Sequence, residues 1–279
     1  MRYPRFNPLA LFWYAAAVAA ALAVPAALAQ GLPKGGPQLQ GPSRLAFLPQ
    51  QATLAAMRDA GFFPTGIEPV YPATALCPAA ESLFAAQTRS DRSQRQAVFF
   101  QGFHGGIDIP VPEGTSVLAV AAGTVIYKGE GGSIGGIGLI LQHAPADTGL
   151  PVWTYTEYKH LREVPPLALG TRVAMGQPIA ASGKTGTEGG YYGAEGFAHL
   201  HLSAYFSAQP GYEADRAFVP TGGQWMDPLA FFRGMPVASA ALVALPLAQK
   251  QVPIHYLIAG GVPVPPGAKV IWPLACTLR

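Results

Sequence analysis

His104, Asp108, His160, His199 and His201 are the residues of this chain whose types and spacing could do chemistry. Five of the six histidines lie between His104 and His201, whereas the whole chain holds only two cysteines. A transition-metal site would therefore be built from imidazole and carboxylate, a donor set that points to hydrolytic zinc. His199 and His201 flank Leu200. In a strand, residues two apart face the same side, so both imidazoles would enter one cleft while Leu200 turned to the other face. Two polar rings packed there cost free energy unless a partner such as a cation satisfies them. Taken alone, a His-x-His pair is a weak signal of a metal site.

His104 and Asp108 stand four apart, a spacing that would share one helix face. Gly105-Gly106 between them and Ile107-Asp108-Ile109 after them argue instead for a turn entering a strand. A carboxylate set among apolar neighbours needs a charge partner. A divalent cation would supply one, and so would an arginine of the Arg89 to Arg95 segment. His160 follows an apolar run expected to end at Tyr158, and alone it reads equally well as a surface histidine.

The elements that must position these side chains are short. Beyond Tyr71, apolar runs broken by Gly and Pro recur at Ser116 to Ala121, Gly123 to Tyr127, Ile137 to Gln142, Val152 to Tyr158 and Pro178 to Ser182. Their lengths suit strands and leave no room for crossover helices. The expected body is all-β and mainly antiparallel, an open sheet or barrel. Ala144 to Leu150 reads as a hairpin loop, Trp225 to Arg233 as a closing helical turn, and Val252 to Leu278 as further strand whose Val-Pro steps suit a sheet edge. Pro49 to Ala60 is expected to form a short helix with Leu54 and Met57 on one face and Gly61 as its cap. It would either pack on the body or act as an inhibitory flap.

At 279 residues, 50% hydrophobic and 12% charged, the chain can bury one good core. Its formal net charge of +3 includes Arg2 and Arg5, and so near-neutral a body gives no case for nucleic acid. Residues 1–29 read as a signal peptide with a basic start, an apolar stretch from Leu9 to Leu22 and Ala27-Leu28-Ala29 as cleavage site. The competing reading is an uncleaved membrane anchor. Either one sends the body out of the cytoplasm, to the periplasm or cell envelope. In an oxidising compartment Cys77 and Cys276 are expected to form a disulfide, with two buried free thiols as the alternative. The expected organisation is a linker and short, possibly inhibitory helix over 30–70, a main domain over 71–234 and a C-terminal β extension over 235–279.

Taken together, these blocks resemble the lysostaphin-like (LytM-type) zinc metallopeptidases, which cut the peptide stems and cross-links of bacterial cell-wall peptidoglycan. The resemblance runs from about Tyr71 to Arg233. It rests on His104-Gly-Gly-Ile-Asp108-Ile, Pro112-Glu-Gly-Thr-Ser-Val with Ala122-Gly-Thr-Val125, Tyr158-Lys-His160-Leu, Gly176-Gln-Pro-Ile179 with Ser182-Gly-Lys-Thr-Gly186, and His199-Leu-His201.

The resemblance implies His104, Asp108 and His201 as zinc ligands, with His160 and His199 as catalytic histidines beside the metal. Three protein ligands leave a fourth position for water, as catalytic zinc requires. The implied activity is that of a secreted zinc endopeptidase on peptidoglycan; the alternative is a non-catalytic wall-binding or amidase-activating protein of the same fold. Leu202 stands where the family commonly has an aromatic residue. The Thr187 to Ala198 segment looks longer than usual, and its Tyr191 and Tyr192 are candidate substrate contacts. Ser82-Leu-Phe84 and Arg89 to Arg95 match the family's run before the first histidine only loosely. His143 is expected to be structural, and His255, outside the resemblance, structural or exposed.

Overall fold

Apolar runs of three to nine residues between turn-forming glycines and prolines can satisfy their backbone groups only by pairing with one another, so they form strands. In this computed structural model, residues 51–130, 135–187, 194–213, 218–258 and 260–279 are described. The expected signal segment, the linker through Arg44 and the Tyr191-Tyr192 pair lie outside them. Six strands follow one hydrogen-bonded path, Gln224–Met226, His199–Ser207, Trp153–Leu161, Ile137–His143, Gly123–Glu130 and Arg172–Val173, and Ile107–Pro110 joins it against His199–Ser207. Every pairing in this sheet is antiparallel, so the protein is all-β as expected. Ser116–Leu118 and Pro178–Ala181 form a separate antiparallel pair. Parallel pairing occurs where Glu68–Val70 meets Gln251–Pro253.

Both faces of the sheet are covered, which is why its strands read as apolar runs rather than clean alternation. On one face Leu200, Leu202 and Ala204 join a core that also takes in Val252, Trp272 and Leu274 from the C-terminal segment. On the other, Tyr155 and Tyr205 meet an aromatic cluster of Phe62, Phe84 and Trp225 together with Met57. Phe62 stacks on Trp225 with ring centroids 4.5 Å apart.

Helices are few and short among the described residues, and none is long and apolar enough to cross a membrane. The expected N-terminal helix spans Leu54–Asp59, capped by Thr53, whose hydroxyl accepts from the Ala56 amide. Gly61 follows it with a φ of 78°, in the left-handed region expected of a terminating glycine. Met57 is buried in the aromatic cluster, but Leu54 is exposed. One turn of packing surface is enough for so short a helix, and Leu54 falls off its edge. Ala230–Arg233 supplies the expected helical turn, whereas Ser239–Val243 is helical where no helix was expected. Its Leu242 is fully buried, so tertiary packing overrides a weak local signal.

The strands around the site run longer than their apolar cores. Trp153–Leu161 extends through Lys159 and His160, and Gly123–Glu130 reaches beyond Tyr127. Cys77 and Cys276 are joined in a disulfide across a sequence separation of 199, beside the pairing of Ala75–Leu76 with Thr277–Leu278.

Candidate metal centre

The central strand sets the geometry. In His199–Ser207, odd-numbered residues from His199 to Tyr205 share one face, and antiparallel register places Asp108 directly across from His201. His104 arrives at the end of the turn that feeds Ile107–Pro110. Gly106 is required in that turn: a Cβ there would lie 2.3 Å from the Leu202 carbonyl oxygen and 2.9 Å from His201 Nε2. Only a residue without a side chain lets the turn press this closely onto the strand.

Three donor atoms converge. His104 Nε2 lies 2.9 Å from Asp108 Oδ1 and 3.1 Å from His201 Nδ1, and His201 Nδ1 lies 2.8 Å from Asp108 Oδ1. All three residues are buried, and one ligand atom from each can be chosen so that all lie within 4.8 Å of one another. The opposite ring nitrogens face oxygen. His104 Nδ1 is 3.1 Å from the Leu83 carbonyl, to which it donates, and His201 Nε2 is 2.9 Å from Ser203 Oγ. The Leu83 carbonyl fixes the His104 tautomer with its lone pair on Nε2, and when the Ser203 hydroxyl accepts from His201 Nε2 the lone pair of that ring lies on Nδ1. Two imidazole nitrogens and one carboxylate oxygen turned inward fit a divalent cation of the zinc type.

His199 and His160 stand beside this cluster. His199 donates from Nδ1 to the Phe197 carbonyl at 2.9 Å and places Nε2 3.5 Å from Asp108 Oδ1. His160 donates from Nδ1 to the Thr185 carbonyl at 2.7 Å, and its ring centroid is 4.6 Å from that of His199. Strict alternation would send His160 to the opposite face from Lys159, which is paired with His201. The register between Ile137–His143 and Trp153–Leu161 shifts at this end, and His160 adopts a φ of 59°. A bulge of this kind re-aims one side chain without breaking the sheet, and positive φ at a residue with a side chain is a strained conformation concentrated at functional sites.

Burial penalises charge on these rings. It holds His201 down to about 3 and His104 below its usual value. For His160, burial acts first and the neighbouring His199 and His201 next, taking it well below the normal range. Burial also works against charged His199, but the Asp108 carboxylate outweighs it and its pKa is raised. Burial would raise Asp108; His104 and His199 outweigh that, and it stays well below the usual carboxylate range. His104 and His201 are thus neutral near pH 7, the state a metal ligand needs.

Residues 102–211 match the family model described as peptidase family M23. Over this stretch the chain is similar to peptidase family M23. Among solved structures, the chain is similar to the catalytic domain of the antimicrobial peptidase lysostaphin from Staphylococcus simulans, at 22% identity over 55% of this chain and 88% of that one, with a TM-score of 0.35. It is also similar to LytU, at 27% identity over 52% and 83%, TM-score 0.35. A zinc-containing peptidase from Vibrio cholerae is similar at 25% identity over 53% of this chain and 40% of that one, TM-score 0.34.

The M23 blocks acquire physical roles in the structure. Tyr158 turns to the core, where its hydroxyl accepts from the Val120 amide, so in the Tyr158-Lys-His160 block the tyrosine anchors the strand. Thr185 of the Ser182 to Gly186 block supplies the acceptor for His160, and its hydroxyl donates to the Leu161 carbonyl. His143 is buried between the Ala122 carbonyl and Thr156, away from the convergent cluster. His255 packs edge-on against Phe232. The sequence allowed Asp108 either a cation or an arginine of the 89–95 segment as partner, and the arginine is found on one of its two oxygens. Oδ1 faces the imidazoles, while Oδ2 accepts from Arg95 Nη2 at 2.8 Å. Phe197 and Ser203, which contact His199 and His201, escaped the sequence reading, because each bonds through a backbone carbonyl or a hydroxyl that carries no motif, while Ser82 and Leu83 of the loosely matched run meet His104 Nδ1.

Proposed function

We propose that this chain is a secreted zinc-dependent endopeptidase that hydrolyses peptide bonds in the stems or cross-links of peptidoglycan. The observation that carries this reading is the convergence of His104 Nε2, Asp108 Oδ1 and His201 Nδ1 within 3.1 Å of one another, with the outer nitrogens of both rings bonded to oxygen. His104, Asp108 and His201 would hold the zinc. Bound there, zinc supplies a Lewis acid and lowers the pKa of a coordinated water toward about 7.

The remaining chemistry falls to this chain's own side chains. His160 and His199 are the proposed catalytic pair. Each has Nδ1 committed to a backbone carbonyl, which fixes the ring and assigns proton exchange with water and the leaving amine to Nε2. His199 is buried and His160 partly buried, which strengthens their electrostatic interactions with developing charge. Tyr191 and Tyr192 are proposed to contact the substrate.

The deciding experiment measures zinc content and the release of soluble fragments from purified peptidoglycan, for the wild-type chain and for His201→Ala. One zinc per wild-type chain with fragment release, both lost in the variant, is expected. Fragment release that survives in His201→Ala would overturn the metallopeptidase reading, and zinc binding without turnover in the wild type would favour a non-catalytic wall-binding protein.

A further inference from the structure

We propose that Arg95 is a positioning residue of the metal centre, holding Asp108 as a one-oxygen ligand and linking it to His104 through Ser82. This inference rests on the zinc reading above and extends it to a residue that touches neither metal nor substrate.

The argument begins with the carboxylate. Asp108 offers its Oδ1 to His104 Nε2 at 2.9 Å and to His201 Nδ1 at 2.8 Å, while its Oδ2 is held by Arg95 Nη2 at 2.8 Å. The same guanidinium nitrogen donates to Ser82 Oγ at 3.0 Å. Ser82 Oγ in turn lies 3.2 Å from His104 Nδ1 and donates to the Thr88 carbonyl at 2.9 Å. One arginine therefore connects two of the three convergent residues through their outward atoms. The backbone reinforces the link, because the Asp108 amide donates to the Ser82 carbonyl at 2.9 Å.

Arg95 is itself anchored. Its amide donates to the Gln87 carbonyl at 2.8 Å, just beyond a bridge between Thr88 and Gln94. Its side chain is only 19% exposed, so the ion pair with Asp108 is shielded from water and salt. A planar guanidinium can direct one N–H to each of two acceptors at fixed angles, which a lysine ammonium does not reproduce. With Oδ2 held by a cation, the carboxylate presents a single oxygen to the cluster. It is also prevented from rotating to embrace a metal with both oxygens, the mode that large oxygen-seeking cations favour.

The test compares wild type, Arg95→Ala, Arg95→Lys and Ser82→Ala by zinc competition against a chromophoric chelator. Visible absorption of the cobalt-substituted proteins reports coordination number independently of turnover. Arg95→Ala is expected to bind zinc about 10-fold more weakly, the scale seen when the outer partner of a metal ligand is lost. Arg95→Lys should recover part of that affinity. The cobalt bands of Arg95→Ala should lose intensity as Asp108 shifts toward two-oxygen ligation. Ser82→Ala, which keeps Arg95 on Asp108, should weaken zinc by a smaller factor and serves as the second test if Arg95→Ala does not fold. Zinc affinity and cobalt bands unchanged in Arg95→Ala, or unchanged affinity in Ser82→Ala where that variant stands in, would overturn the Arg95 assignment and leave the zinc reading intact. A wild-type chain that takes up no zinc would overturn both.

Discussion

The Nδ1 of His160 and the carbonyl of Thr185 meet at 2.7 Å, 25 residues apart in sequence. The strained backbone of His160 is stabilised only as long as that carbonyl stays in place. Gly136 packs against it: a Cβ at position 136 would lie 2.0 Å from the Thr185 oxygen, and its φ of 60° is left-handed.

Gly136→Ala should therefore displace Thr185 and release His160 while leaving the three convergent donors alone. We expect peptidoglycan hydrolysis to fall at least about 100-fold, the lower range for loss of a positioned acid or base, with zinc content unchanged. Parallel metal analysis and fragment-release assays check this. Wild-type turnover in Gly136→Ala would remove His160 from the mechanism.

His143 makes the fold sensitive to acid. Burial takes its pKa down to about 4, against an ordinary value of 6.5. Between these values the unfolded chain binds a proton that the folded one refuses, so stability rises with pH there. The contribution is complete above about 6.5 and is lost as pH falls through about 4, a difference of about 3 kcal/mol. Thermal midpoints measured from pH 7 down to pH 4 should fall, and a His143→Gln variant should flatten the slope. An identical slope in the variant would mean that other groups govern acid unfolding.

The Cys77–Cys276 bridge closes a loop with a sequence separation of 199. Loop-closure entropy for so long a span stabilises the folded state by about 5 kcal/mol. Reduction, or the double change Cys77→Ala with Cys276→Ala, should lower the thermal midpoint by about 10 °C. A midpoint that does not move on reduction would show that the surrounding packing alone holds the seam.

How far the sequence foretold the structure depends on whether the relevant interaction follows from spacing. The strands, their antiparallel order and the shared face of His199 and His201 follow from period and punctuation. Asp108 was recognisable as a charge in apolar company. Three things were hidden. His160's direction depends on a bulge, which is a property of the pairing between two strands and not of either segment. Which arginine of the 89–95 segment pairs with Asp108 depends on a loop whose course is set by Gln87 and Ser82 accepting hydrogen bonds from Arg95. The exposure of Leu54 and the helix at Ser239–Val243 are set by what lies across the interface, and local pattern does not encode that.

Glu68–Val70 pairs with Gln251–Pro253, and Ala75–Leu76 pairs with Thr277–Leu278. The seam thus joins segments made early to segments made almost two hundred residues later. A ribosome delivers them in that order, so Glu68–Val70 must wait for Gln251–Pro253 and Ala75–Leu76 for Thr277–Leu278. Timing, as much as sequence, then governs whether this edge finds its proper neighbour before it finds another chain.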